Sequence, residues 1–235
     1  MSAAPADDRD GAATGTAEPR WRRRAGDAWA AAAGLAVLVV GMVVVRDGHV
    51  PAWERSTFLA VNDLPEVLYP LLWPFQQIGA VLVGPVLAVV AWLLHRRRLA
   101  VALVVVTVAK LVLERVVKAI VTRERPGTSI GADADLRGDV PAAGESFVSG
   151  HAVMIAAVAC LVAPYLPRRW RPVPWVLVGL VMVARVYVGA HNPLDVLCGA
   201  ALGVAIGSAV NLAVGVPDEP AGAGAETAAP EPTTS

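Results

Sequence analysis

Six apolar stretches constrain this chain more than any other feature: Trp29 to Val45, Ile78 to Leu94, Leu99 to Thr122, Ser149 to Leu166, Val173 to Val188 and Pro193 to Val214. A run of roughly 20 apolar residues is what a helix needs to cross the hydrocarbon core of a bilayer, and only a closed hydrogen-bonding pattern such as a helix survives there. The expected fold is therefore all-α: a polytopic membrane protein built as a six-transmembrane-helix bundle. With 56% hydrophobic and only 17% charged residues, the chain is more apolar than a soluble domain of its length needs to be. The 20 basic residues cancel the 20 acidic ones, so only their placement carries information.

That placement sets a topology. Arg20 to Arg24, Arg96 to Arg98 and Arg168 to Arg171 are separated by even numbers of spans and so share one side. Surplus arginine marks the cytoplasm. Both termini are then cytoplasmic, in a multi-pass protein of the cell membrane. The segments from Lys118 to His151 and from Arg185 to Asp195 fall on the external face.

Residues 1–26, rich in Ala, Gly, Asp and Arg, read as a disordered head, 27–215 as the membrane domain, and 216–235 as a disordered tail. The first apolar run is long for a signal peptide and has no clear cleavage site, so it is expected to stay as a helix. Arg46 to Pro65 reads as polar and turn-rich. Pro70, Pro74 and Pro85, with Gln76 and Gln77, predict a kinked or two-part second helix whose spanning core is Ile78 to Leu94. Gly199, Gly203 and Gly207, four apart, suit close helix packing. Cys160 and Cys198 sit within apolar runs and read as small hydrophobes, with no disulfide or metal cluster implied.

Three clusters carry the candidate chemistry. ARVYVGAHNPLD, Ala184 to Asp195, brings an arginine, a histidine and a carboxylate to the junction of two apolar runs. His191 and Asp195 are four apart, a spacing that on a helix lets a carboxylate orient an imidazole. Asn192 and Pro193 also read as an ordinary helix start, with Asp195 favoured there by the helix dipole. KAIVTRERP places Lys118 and Arg125 at the end of the third helix. Arg115, Arg123 and Arg125 fall on the wrong side for surplus arginine and need some other reason. Lys110, Glu114 and Lys118 share a face, with Lys110 and Glu114 expected to pair. ESFVSGH puts Ser149, Gly150 and His151 at the mouth of the fourth helix, where free amides attract anions, Gly150 lets a phosphate approach, and His151 can pass a proton.

Together these residues match phosphoryl transfer through a covalent phosphohistidine, with no metal and no other cofactor required. The chain resembles the phosphatidic acid phosphatase type 2 superfamily of membrane lipid phosphatases. That family's pattern is Lys, six residues, Arg-Pro; Pro-Ser-Gly-His; and Ser-Arg, five residues, His, three residues, Asp. It stands here as Lys118, Arg125 and Pro126; Val148, Ser149, Gly150 and His151; and Ala184, Arg185, His191 and Asp195. Val148 and Ala184 depart from the Pro and the Ser of the pattern. The resemblance implies His191 as nucleophile, Asp195 as its orienting partner, and His151 as acid and then base. It implies Lys118, Arg125, Ser149, Gly150 and Arg185 as the phosphate-binding set.

The implied partners are the bilayer and a lipid phosphate or diphosphate of the undecaprenyl diphosphate, phosphatidic acid or phosphatidylglycerol phosphate class, with no nucleic acid. A lipid phosphotransferase using the same histidine is one alternative. A non-catalytic anionic-lipid binder or transporter is the other, and the intact pair of histidines with Asp195 argues against it.

Overall fold

A computed structural model of the protein describes residues 21–218. The expected disordered head up to residue 20 and tail from residue 219 lie outside the described residues. The described structure extends beyond the expected 27–215 domain at both ends. Trp21–Arg22 (β1) pairs antiparallel with Val216–Pro217 (β2).

The architecture is predominantly helical. Helix α1 spans Ala25–Val44, α2 Ala52–Asn62, α3 Tyr69–Ile78, α4 Val83–Leu93 and α5 Arg97–Ile120. A single turn, α6, Pro126–Ser129, follows. Then come α7, Gly150–Val162, α8, Pro172–Tyr187, and α9, Pro193–Val214. Valines 37, 39, 40 and 43 of α1, and Val101, Val104, Val105 and Val108 of α5, are exposed. An apolar coat of this extent suits lipid and does not suit water.

By length and composition α1 and α9 can each cross a membrane, and α3 with α4 makes a third span if that pair, bent by 63°, is counted as one. The other expected spans fall short for identifiable reasons. Helix α5 carries Lys110, Glu114, Arg115 and Lys118 within its length, while α7, continued by a 3-10 turn to Tyr165, and α8 each have only 16 residues.

The second helix is two-part, as expected, but the break at residues 79–82 holds no proline: Pro74 lies inside α3, Pro85 in the first turn of α4, and the expected core Ile78 to Leu94 is cut near its start. One expectation is corrected: the stretch Arg46 to Pro65, read as turns, contains the 11-residue helix α2. Its polar residues form a surface interrupted by Glu54, Phe58 and Asn62, which are buried. Two of these three inward positions are polar, so no apolar stripe marks the helix in the sequence.

Helix α9 is central. Its glycines pack backbone to backbone on α7. A methyl group at Gly199 would lie 2.7 Å from the Ser149 carbonyl oxygen, and one at Gly207 would lie 2.6 Å from Cys160 Cβ. Gly203 meets the Val153 carbonyl in the same way. Gly34 of α1 lets α9 approach from the other side, at the Ala201 carbonyl. Cys160 and Cys198 are buried free thiols.

The two ends of the bundle differ in chemistry. At one end Arg98 donates to the Val214 carbonyl (3.0 Å) and stacks over Trp21, whose ring faces Tyr165. At the other end the segment after α5, the mouth of α7 and the α8–α9 turn converge.

Candidate active site

The site is assembled at three helix termini. Helix α9 starts where the sequence expects, with Asn192 in extended conformation at the N-cap and Pro193 first in the helix. Asp195, fully buried, accepts the Asn192 backbone N–H at 2.8 Å. The capping role and a role toward His191 therefore coexist in one carboxylate. His191 precedes the cap in the turn after α8, which Gly189 makes possible at φ +75°. A side chain at Gly189 would also collide with the Asp135 carbonyl, 2.6 Å away, so the loop after α6 closes over this turn.

The His191–Asp195 geometry differs from the expected helical pairing. The closest approach is 3.8 Å, from Nδ1 to Oδ2. The nearer partner of Nδ1 is the Ser146 carbonyl oxygen at 3.0 Å. A carbonyl only accepts, so Nδ1 carries the proton and Nε2 keeps its lone pair. Because His191 lies outside the helix, the four-residue spacing does not set a helical face. Burial pushes its imidazole down to about 4, with Arg185 and Arg125 acting the same way and Asp195 opposing them. The ring is thus neutral at neutral pH.

Asp195 is held elsewhere. Arg123 Nη1 donates to it at 2.7 Å, and the Ser146 hydroxyl also donates to it. The Arg123 side chain is wholly buried between Asp195 and Glu54, with Nη2 2.5 Å from Glu54 Oε2 and Nη1 3.1 Å from Oε1. Glu54 also accepts the Leu194 N–H at the start of α9 (2.8 Å). Burial opposes the charge of Arg123, but Asp195 and Glu54 outweigh it and hold the guanidinium above its ordinary value. This cluster supplies the reason the sequence lacked for an arginine at this end of the bundle. Sequence reading missed Glu54 and Ser146, although an acidic residue among Trp53, Phe58 and Leu59 was an available signal.

Ser149 occupies the N-cap position of α7 without capping it. Its backbone N–H donates to the Asp195 carbonyl (3.0 Å), while its buried hydroxyl has no partner among the described protein groups. That leaves the hydroxyl available to a ligand. Gly150 opens the helix under the Glu114 carboxylate, which a methyl group there would meet at 2.6 Å. Glu114 pairs with Lys110 at 2.6 Å, as expected, and also with Lys118 at 3.1 Å. Lys118 is therefore held beside the amide end of α7 by a carboxylate.

Arg125 donates to the Ala190 carbonyl at 3.1 Å, next to His191. Arg185, in the last turn of α8, donates to Gln76 of α3 at 2.8 Å. His151, one residue into α7, has the cations Arg185, Lys110 and Arg125 and the second imidazole, His191, close enough to act on its ring. The break after α3 serves this ring. A methyl group at Gly79 would lie 2.8 Å from His151 Cβ and 3.0 Å from its Cδ2. The contacts connect the expected residues: Asp195 reaches His191 and the Ser149 amide, Arg125 the residue before His191, and Lys118, through Glu114, the start of α7 at Gly150. Among the described residues, no group of three or more His, Cys, Asp or Glu is placed to hold a metal ion. An apolar cavity of about 440 Å³ lies between α3, α4, α7 and α8, lined by Gln77, Ile78, Leu87, Ile155, Val158 and Leu177 among others.

Helices converging on a cluster of cations and imidazoles, inside an apolar coat, suit a membrane protein, and its family follows from its relatives. A family model described as the PAP2 superfamily matches residues 99–216. The chain belongs to the PAP2 superfamily. It is 33% identical over 96 residues to a decaprenylphosphoryl-5-phosphoribose phosphatase of Mycobacterium tuberculosis, covering 40% of this chain and 50% of that protein. The chain thus spans about half the length of the curated relatives it matches. Its fold is similar to that of Aquifex aeolicus LpxE (TM-score 0.56, 22% identity, 66% of this chain and 92% of the other). It is also similar to the PAP2-type phosphatidylglycerolphosphate phosphatase of Bacillus subtilis (TM-score 0.60, 20% identity, 76% and 94%).

Proposed function

We propose that the protein is an integral membrane phosphatase that hydrolyses the phosphomonoester or diphosphate head of a lipid through a phosphohistidine on His191. The observation that carries this reading is the Ser146 carbonyl on Nδ1, which leaves the Nε2 lone pair of a neutral, buried imidazole among cations.

In the first step Nε2 attacks phosphorus and the bond to the leaving oxygen breaks, with His151 delivering a proton to that oxygen. Lys118, Arg125 and Arg185, with the Ser149 hydroxyl and the Gly150 amide, hold the phosphoryl oxygens and stabilise the charge spread over them. In the second step His151 takes a proton from water as the water oxygen attacks phosphorus. The P–N bond breaks, its electron pair returns to Nε2, and inorganic phosphate leaves. No step calls for a metal ion.

The substrate class is a lipid phosphate or diphosphate such as undecaprenyl diphosphate, phosphatidic acid or phosphatidylglycerol phosphate. The apolar cavity between α3, α4, α7 and α8 supports a lipid substrate, because its wall suits a hydrocarbon chain. The arginine clusters favour six spans, counting the bent pair as one, with cytoplasmic termini and an external active site.

The test is phosphate release by purified protein from a panel of these lipids in detergent containing a chelator, with and without candidate acceptor alcohols. Release in chelator that is blocked by vanadate is expected. Activity that needs added magnesium, or phosphate appearing only on an acceptor, would overturn the reading.

A further inference from the structure

Beyond the motif residues, the geometry points to Glu54 as a positioning residue that acts through Arg123 to keep the negative charge of Asp195 available to the nucleophilic His191. This rests on the nucleophile assignment made above. Asp195 reaches His191 only at 3.8 Å, so its effect on the ring is electrostatic. Arg123, in direct contact with Asp195 at 2.7 Å, would cancel that charge if it stood alone. Glu54 prevents this by taking the same guanidinium in a two-point ion pair. Two carboxylates against one guanidinium leave one net negative charge in a pocket where both side chains of the Arg123–Glu54 pair and that of Asp195 have no exposure.

The covalent step shows why that charge matters. When Nε2 bonds phosphorus with Nδ1 already protonated, the ring becomes cationic on its Nδ1 side, while the negative phosphoryl oxygens sit at Nε2 and are held by the cations. The ring returns to neutral when the P–N bond breaks. A buried cation needs a nearby compensating charge. The Ser146 carbonyl orients the ring and the Ser146 hydroxyl fixes the carboxylate, but neither carries a formal charge. Glu54 also ties α2 to the first turn of α9 through the Leu194 amide, so a purely structural role is the rival explanation.

Two substitutions separate charge from shape. Glu54→Gln keeps the length but removes the charge and turns one of the two accepting oxygens into an amide donor, whereas Glu54→Asp keeps the charge and both acceptors and shortens the reach. The expected result is a kcat at least tenfold lower for Gln with KM within twofold of the parent, and a kcat within threefold of the parent for Asp. Equal losses in both, or a larger loss in Asp, would overturn the inference in favour of a structural role. If the Gln protein does not fold, Asp decides alone: kcat within threefold supports the inference, and a tenfold loss overturns it. Mapping the phosphoryl adduct in the parent protein keeps the two readings apart. An adduct absent from His191 overturns the nucleophile assignment, while an adduct on His191 that forms as fast in Gln as in Asp overturns only the role of Glu54.

Discussion

Nδ1 of His191 lies 3.0 Å from the main-chain oxygen of Ser146, which makes it the donor and leaves Nε2 as the free nitrogen. The tautomer is thus fixed by a backbone atom. Any phosphoryl adduct is therefore expected on Nε2, and nitrogen-15 spectra of histidine-labelled protein should show the Nδ1–H form at pH 7. An Nδ1 phosphoryl adduct, or the Nε2–H tautomer, would contradict the geometry.

Stability should depend on pH through the same ring. The unfolded imidazole titrates at 6.5 and the folded one at about 4. Between these values the unfolded chain binds the extra proton, so the contribution is complete above 6.5 and is lost as pH falls toward 4. At roughly 1.4 kcal/mol per pH unit, moving to pH 5 costs about 2 kcal/mol. The drop in thermal midpoint between pH 7.5 and pH 5, measured in detergent, should therefore be smaller for His191→Gln than for the parent. An unchanged drop would mean that His191 is not held neutral.

Gly79 is expected to matter for the proton and not for the nucleophile. Any side chain there presses on Cβ and Cδ2 of His151. Gly79→Val should slow hydrolysis of natural lipid phosphates by about 100-fold, the low end of what general acid catalysis supplies. A substrate with a good leaving group, which needs no protonation, should be affected far less. Equal losses on both substrates would show that the break serves folding alone.

The motif residues and their convergence were legible in the sequence because helix caps and spacings are local. Asn192, Pro193 and Asp195 begin α9 as their types dictate, and Gly199, Gly203 and Gly207 pack α9 on α7. The support under His191 was not legible. Glu54 meets Arg123 across 69 positions and Leu194 across 140, and no local pattern encodes such a pairing. The His191–Asp195 spacing misled for a related reason: it implies a shared helical face, but the chain turns out of helix before the cap. Helix α2 gave no apolar stripe to read, because two of its three buried residues, Glu54 and Asn62, are polar.

The apolar cavity bounded by α4, α7 and α8 yields a prediction about substrate length. Leu87→Trp places a larger ring on its wall. Activity on a lipid phosphate with a long chain should fall severalfold through KM, while a short-chain soluble phosphate should be hydrolysed as before. Equal KM changes for both substrates would remove the cavity from lipid recognition.

The covalent intermediate is the most direct test of the account. Parent protein, His151→Ala and His191→Ala would each be mixed with a phosphoryl donor bearing a good leaving group, quenched in base and mapped by mass spectrometry for acid-labile phosphohistidine. An adduct is expected on His191 in the parent and in His151→Ala, and none in His191→Ala. An adduct on His151, or one that persists without His191, would contradict it.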